Sequence, residues 1–249
     1  MTGRVLEWDG CLNVRDLGGL PTEDGGATRR GAIVRSDNVH ALSAAGWAAL
    51  VAHGIRRVVD LRFDEERLRD PPRDVPVEVV HASFFGPQDP EYGAADVEAW
   101  RRSPSQEDGF ADRYLAYLAD FGPHVGAALA AVADAPEDGG VIVHCWGGKD
   151  RTGLVCALAL RLAGVGRETI ADDYALSGPN LGRGVSAGWI DEATDPEERR
   201  GRERSLLSPR TSMLRVLEEV ERRHGSVEGY LRTCGLDDER IERLRARLR

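Results

Sequence analysis

The first half of the chain alternates short apolar runs with amphipathic stretches. Residues 31–38 set Ile33 and Val34 ahead of polar residues and predict a short strand. Ser43 then offers an N-cap to a helical stretch in which Trp47, Leu50 and Val51 share a face, closed by Gly54. Val58, Val59 and Leu61 centre a second strand, and residues 77–84 predict a third. Residues 86–108, rich in Pro, Gly, Asp and Glu, read as a surface loop or a short mobile element. A helical rhythm follows over 110–133, with Tyr114, Leu115, Leu118 and Phe121 on one side and a break at Gly122-Pro123. Gly139 and Gly140 lead into Val-Ile-Val, a trio that fits a strand buried on both faces, as in a parallel sheet.

Beyond a glycine-bearing loop the rhythm is helical to the end. The helix predicted from Thr152 is apolar almost all round, which places it in the middle of a domain. Further helices are predicted over 167–178, from Ser208 as cap with Pro209 at the first helical position, and over 226–233 and 237–248. Strands alternating with helices early, and helices alone late, predict a single α/β domain over 1–249. Its central sheet is mostly parallel and flanked by helices, with a helix-rich C-terminal half. Arg15 and Asp16 are expected to tie the N-terminal segment to the core through an ion pair.

Composition narrows the function classes. With 249 residues, 41% of them apolar, the chain can bury a real core. A net charge of -9 argues against nucleic acid as a partner. No run approaches 18 uncharged apolar residues, so no stable membrane insertion is expected. The N-terminus has no apolar core of a secretion signal, which gives a cytoplasmic location as the default, with leaderless secretion as the alternative. The four cysteines are scattered and make no metal motif, so neither a metal nor another cofactor is expected.

The chemistry concentrates in HCWGGKDRTG, residues 144–153. A strand ends at His144, a glycine loop follows, and a buried helix begins. The first amides of that helix lack intrahelical partners and carry the positive end of its dipole, a ready site for a tetrahedral oxyanion. Gly147 and Gly148 let the backbone curl so that its N–H groups converge. Arg151 adds a two-pronged donor that matches two phosphate oxygens. Cys145 sits under this cradle, where the same field favours a thiolate, a nucleophile for in-line attack on phosphorus. Thr152 is placed to donate a hydroxyl to the sulfur. Trp146, Lys149 and Gly153 complete the candidate phosphate-binding set, and His144 is expected to support the thiol through hydrogen bonding. Trp146 either flanks an aromatic substrate ring or packs outward. Lys149 adds a cation near the pocket mouth. Cys156, within the apolar helix, reads as a buried small hydrophobe, as does Cys234.

The loop, together with NVRDLGG (13–19), IVRSD (33–37), VVDLRFDEE (58–66), DYALS (173–177) and the C-terminal YLRTCGLDDERIERLR, resembles the bacterial protein tyrosine phosphatase family whose best-known member is a secreted mycobacterial enzyme. The resemblance runs over nearly the whole chain. It implies a phosphatase-type α/β fold and phosphotyrosine substrates, often with phosphoinositides beside them. It also makes the charged segment 181–207 a lid or insertion, where composition alone reads a solvated, salt-bridged face. The in-loop Lys149 resembles loops that meet additional phosphates.

The expected reaction is phosphomonoester hydrolysis through a cysteinyl-phosphate, with phosphotyrosine in proteins as the first substrate class. A phosphoinositide or a dual protein and lipid specificity is the alternative. A catalytically silent phosphate-binding module and a sulfur-transfer enzyme stand behind these; Arg151 and Thr152 argue against the second. For the general acid, the resemblance puts Asp150 first. Asp89 comes second, and Asp60 and Asp64, at the end of a parallel-looking strand, come after.

Overall fold

The computed structural model describes residues 3–70, 75, 77–87, 98, 100, 102–184 and 188–249. The elements in chain order are β1 (Arg15–Asp16), β2 (Ile33–Ser36), α1 (Ala44–Ala52), β3 (Ile55–Asp60), α2 (Asp64–Arg69) and β4 (Glu78–His81). Then come α3 (Gln106–Asp120), α4 (Gly122–Ala133), β5 (Gly140–His144) and α5 (Asp150–Leu162). The C-terminal half adds α6 (Arg167–Ala175), α7 (Ser177–Gly182), α8 (Pro196–Ser205), α9 (Arg210–His224), α10 (Val227–Thr233) and α11 (Asp238–Leu248).

The five strands form one sheet in the order β1-β2-β5-β3-β4. All pairings are parallel except that of β1, an antiparallel two-residue edge the hydrophobic pattern does not show. The Val-Ile-Val run is the sheet's central strand and is buried throughout, as its composition predicts. Side-chain alternation divides it between two cores. Val141 and Val143, with Ile33 and Val59, face the larger core built with the C-terminal helices. Ile142, with Val34 and Val58, faces a smaller one containing Trp8, Leu42 and Leu50.

Local signals place several boundaries. Ser43 caps α1 by accepting from the Gly46 amide, and Gly54 continues the chain at φ +92°. α3 and α4 meet at Phe121 at 83°, so the Gly122-Pro123 break is a sharp corner. Among the described residues no single helix is long and apolar enough to cross a membrane. α5 is buried along nearly its whole length, which is what its all-round apolar sequence demands. Ser208 does not cap α9. Its hydroxyl donates to the Ala175 carbonyl and accepts from the Gly178 amide, stitching α6 to α7, and Pro209 takes the cap position. Residues 86–108 lie largely outside the described residues, although Ser105 caps α3.

Arg15 and Asp16 do tie the N-terminal segment down, but not to each other. Arg15 pairs with Asp173 on α6, and Asp16 lies 3.4 Å from His53.

Candidate active site

Three parallel strands end level with one another: Ser36 of β2 and Asp60 of β3 both stand opposite His144 of β5. Open α/β sheets bind ligands beyond such carboxyl ends. From His144 the chain turns through residues 145–149 and enters α5 at Asp150. Gly148 stands at φ +65°, and a Cβ there would lie 2.2 Å from the Ser36 carbonyl oxygen, so the turn requires glycine.

Cys145 lies at the base of this turn with 2% of its surface exposed, as deep as Cys156. Depth therefore does not separate the two thiols; their surroundings do. Burial pushes the Cys156 thiol up to about 11, and burial also raises Cys11 and Cys234, so these three are held protonated. Cys145 alone adjoins Arg151. Burial opposes the charge on that guanidinium, but the Cys145 sulfur, Glu66 and Asp150 outweigh it and hold the group firmly cationic.

Glu66, in the first turn of α2, grips Arg151 with both carboxylate oxygens, at 2.5 and 2.8 Å. Its Oε2 also accepts from the Phe63 amide at 2.8 Å, which fixes the carboxylate on the helix end. Below, the guanidinium lies over the stacked rings of Phe63 and Phe85, 5.2 and 5.9 Å from their centroids. Glu66, Phe63 and Phe85 are neighbours of Arg151 that the sequence motif did not reveal. The only hint was that VVDLRFDEE belongs to the segments of family resemblance.

Lys149 is not at a pocket mouth. It is 5% exposed, and its ammonium donates to the carbonyls of Arg204 and Ser205 at the C-terminal end of α8, at 3.2 and 3.1 Å. The negative end of a helix dipole suits a cation. The Phe110 ring lies 4.8 Å away. Part of the segment expected to be a lid, α8, is thus attached directly to the loop.

Asp150 keeps 42% of its side chain exposed and accepts a short hydrogen bond from the Tyr114 hydroxyl, which itself lies 2.8 Å from that of Tyr174. Burial opposes ionisation, but Lys149, Tyr114, Arg113 and Arg151 hold this carboxyl below its usual range. Trp146 stands outward, 52% exposed. The Thr152 hydroxyl is buried without a hydrogen-bond partner among the described residues, so the expected bond to the sulfur is not formed. Gly153 is no part of a phosphate cradle. Its amide donates to the Lys149 carbonyl as the first bond of α5, and the Tyr174 ring lies 3.1 Å from where its Cβ would be.

His144 is fully buried, and burial, with help from Arg62 and His40, brings it down to about 4 against the pull of Asp60. It is neutral at pH 7, and its Nδ1–H donates to the Cys145 carbonyl at 3.1 Å. Asp60 is clasped by Arg62 through three contacts of 2.9 to 3.2 Å, is held ionised and has no exposed surface from which to meet a leaving group. His40, Asp60 and His144 bring their ligand atoms within 4.8 Å of one another, a cluster invisible in the sequence. Arg62 already supplies the cation there, so a metal ion would meet an occupied carboxylate. Asp64 is exposed beside Arg67 and His81, and Asp89 lies outside the described residues.

A profile of the tyrosine phosphatase family matches residues 6–249. A triple specificity protein phosphatase, PtpB, of Mycobacterium tuberculosis is 30% identical over 97% of this chain and 98% of its own length. A tyrosine-protein phosphatase of Nostoc commune is 28% identical over 87% of this chain and 74% of its own.

Proposed function

This chain belongs to the tyrosine phosphatase family and is a phosphoric monoester hydrolase; on that premise we propose that it works through a cysteinyl-phosphate on Cys145, with phosphotyrosine in proteins as its main substrate. The observation that carries the mechanism is the pairing of Cys145 with a cationic Arg151 at the head of α5, while burial keeps the other three thiols protonated.

The Cys145 sulfur attacks phosphorus as the bond to the ester oxygen breaks. Loop amides and Arg151 hold the three equatorial oxygens, where charge is concentrated. The departing oxygen takes a proton from Asp150. Water then attacks the cysteinyl-phosphate, giving its proton back to the Asp150 carboxylate, and the sulfur leaves as thiolate. In the empty site Asp150 is an ionised carboxylate. The negative charge of a bound phosphate ester offsets Lys149 and Arg151 and favours the protonated form that the first step needs.

Two features support an aryl phosphate over a polyphosphorylated headgroup. Trp146 stands exposed on the loop itself, next in sequence to Cys145. Lys149, the extra cation a second phosphate would seek, is already held by α8 carbonyls. The mycobacterial relative is called triple specificity, so a panel of phosphotyrosine peptides, phosphoserine peptides and phosphoinositides separates the substrate classes. Cys145→Ser should abolish turnover of each while phosphate or vanadate still binds. Turnover persisting in Cys145→Ser would refute the covalent mechanism, and a phosphoinositide outrunning every phosphotyrosine peptide would refute the substrate assignment.

A further inference from the structure

The two glycines that let the loop curl create a problem. A glycine peptide flips at little cost, and one flipped peptide would present a carbonyl to the anion in place of an amide. Here the carbonyls are all engaged on the far side. Cys145 O accepts from His144 Nδ1 at 3.1 Å and Trp146 O from the Asn38 amide at 2.9 Å. Gly147 O accepts from Asn13 Nδ2 at 3.0 Å. Gly148 O accepts from the same Asn13 nitrogen at 3.2 Å and from Arg35 Nη2 at 2.7 Å. Lys149 O accepts from the Gly153 amide at 2.9 Å. In a trans peptide the N–H points opposite to the C=O, and none of the described peptides is cis. The amides of residues 147–150 therefore face away from these partners, and among the described residues those of 147–149 donate to no protein acceptor.

We propose that Asn13 and Arg35 are positioning residues for this reaction: clamped behind the loop, they fix the peptides of Gly147 and Gly148 so that their amides meet the phosphate. The inference rests on the phosphatase reading above and adds two residues that touch neither substrate nor sulfur.

The clamp is itself rigidly held. Asn13 is fully buried, and its Oδ1 accepts from Arg15 Nη1 at 2.6 Å and from Asn180 Nδ2 at 3.2 Å, which leaves its amino group only the loop to face. Its backbone amide is bound by Asp37. Arg35 is anchored by Asp173 at 3.0 Å and touches Ser177 at 3.3 Å. Asp173 also serves Arg4 and Arg15, so three buried guanidinium groups share one carboxylate. Within this cluster the guanidinium groups outnumber the carboxylate, and their positive charge in a dry interior reinforces the field of the amides.

The test is alkylation of Cys145 in the full chain by iodoacetate and by iodoacetamide at one pH. Both reagents attack the same sulfur, so the ratio of their rates cancels thiol reactivity and exposure and reads the local preference for an anion. Asn13→Leu keeps the volume and removes the donor. The ratio should fall by about tenfold, with competition by inorganic phosphate weakened to match, the worth of one to two lost hydrogen bonds. Arg35→Lys should retain more of the ratio than Arg35→Met. A folded Asn13→Leu protein with an unchanged ratio overturns the proposal. Should Asn13→Leu fail to fold, Asn180→Ala carries the test: it releases one of the two bonds that orient the Asn13 side chain, and a drop of about threefold is expected. An unchanged ratio there overturns the proposal equally. A wild-type protein with no preference for iodoacetate would instead sink the anion-loop reading on which this rests.

Discussion

Glu66→Gln isolates the two-pronged carboxylate contact on Arg151. The carboxylate meets the guanidinium at 2.5 and 2.8 Å, with side-chain exposures of 20% and 11%. Breaking a fully buried ion pair from one side costs about 3–5 kcal/mol. Glu66 keeps a fifth of its surface in water, and glutamine retains one acceptor oxygen, so roughly 1–2 kcal/mol is the expected loss here. That free energy is lost from the pre-aligned state of Arg151, because the Phe63 and Phe85 rings support the guanidinium without fixing its rotation. At about 1.4 kcal/mol per decade, kcat/KM on an aryl phosphate should fall roughly 5–30-fold. Inhibition by inorganic phosphate should weaken alongside it. The thermal unfolding midpoint should fall by roughly 2–8 °C, because the same free energy is lost from the folded state. Steady-state hydrolysis with phosphate as competitor measures both quantities. A Glu66→Gln enzyme within twofold of wild type in kcat/KM and in phosphate inhibition would show that Arg151 is aligned by something else.

Other expectations follow from the same site. Asp150→Asn should lower kcat by about 100-fold on phenyl phosphate and hardly at all on a dinitrophenyl phosphate, whose leaving group needs no proton; equal losses on both would remove Asp150 from the proton-donor role. Lys149→Met deprives the end of α8 of its cation, worth about 1–2 kcal/mol, so amide exchange over residues 196–205 should quicken by roughly tenfold. Unchanged exchange there would mean that Lys149 does not hold α8 in solution. Burial opposes ionisation of Asp173, but Arg15, Arg35 and Arg4 outweigh it and hold the carboxyl far below its usual range. A depressed folded-state value gives stability that is present above the unfolded pKa, near ~3.9, and lost as pH falls below it. Asp173→Asn, which strands three guanidinium groups, should cost about 3–5 kcal/mol in urea unfolding at pH 7. The gap should narrow toward pH 3; a gap that stays constant would contradict the ion-pair account.

Much of the fold was legible because burial imposes composition. Val141, Ile142 and Val143 must be apolar in a strand covered on both faces, and α5 must be apolar all round once helices enclose it. β1 escaped notice since two residues show no alternation, and its pairing depends on β2 lying beside it. Ser208 has the side chain of a cap, but a hydroxyl goes to the nearest unsatisfied groups, here those of Ala175 and Gly178. Gly153 looked like part of the cradle by adjacency, whereas the helix had already claimed its amide.

By itself, the sequence determined the loop that carries Cys145 and Arg151. A thiol, two glycines and a guanidinium within seven residues, between a Val-Ile-Val strand and an apolar helix, is a local arrangement, and local spacing is written in the chain. The tertiary structure alone decided what surrounds that loop. Glu66 reaches Arg151 across 85 positions, Asn13 reaches the loop carbonyls across more than 130, and α8 claims Lys149 from 55 residues away. Such partners meet only when strand order and helix packing fix their distance, and hydrogen bonds and charges act over a few ångströms of space, whatever the separation in sequence.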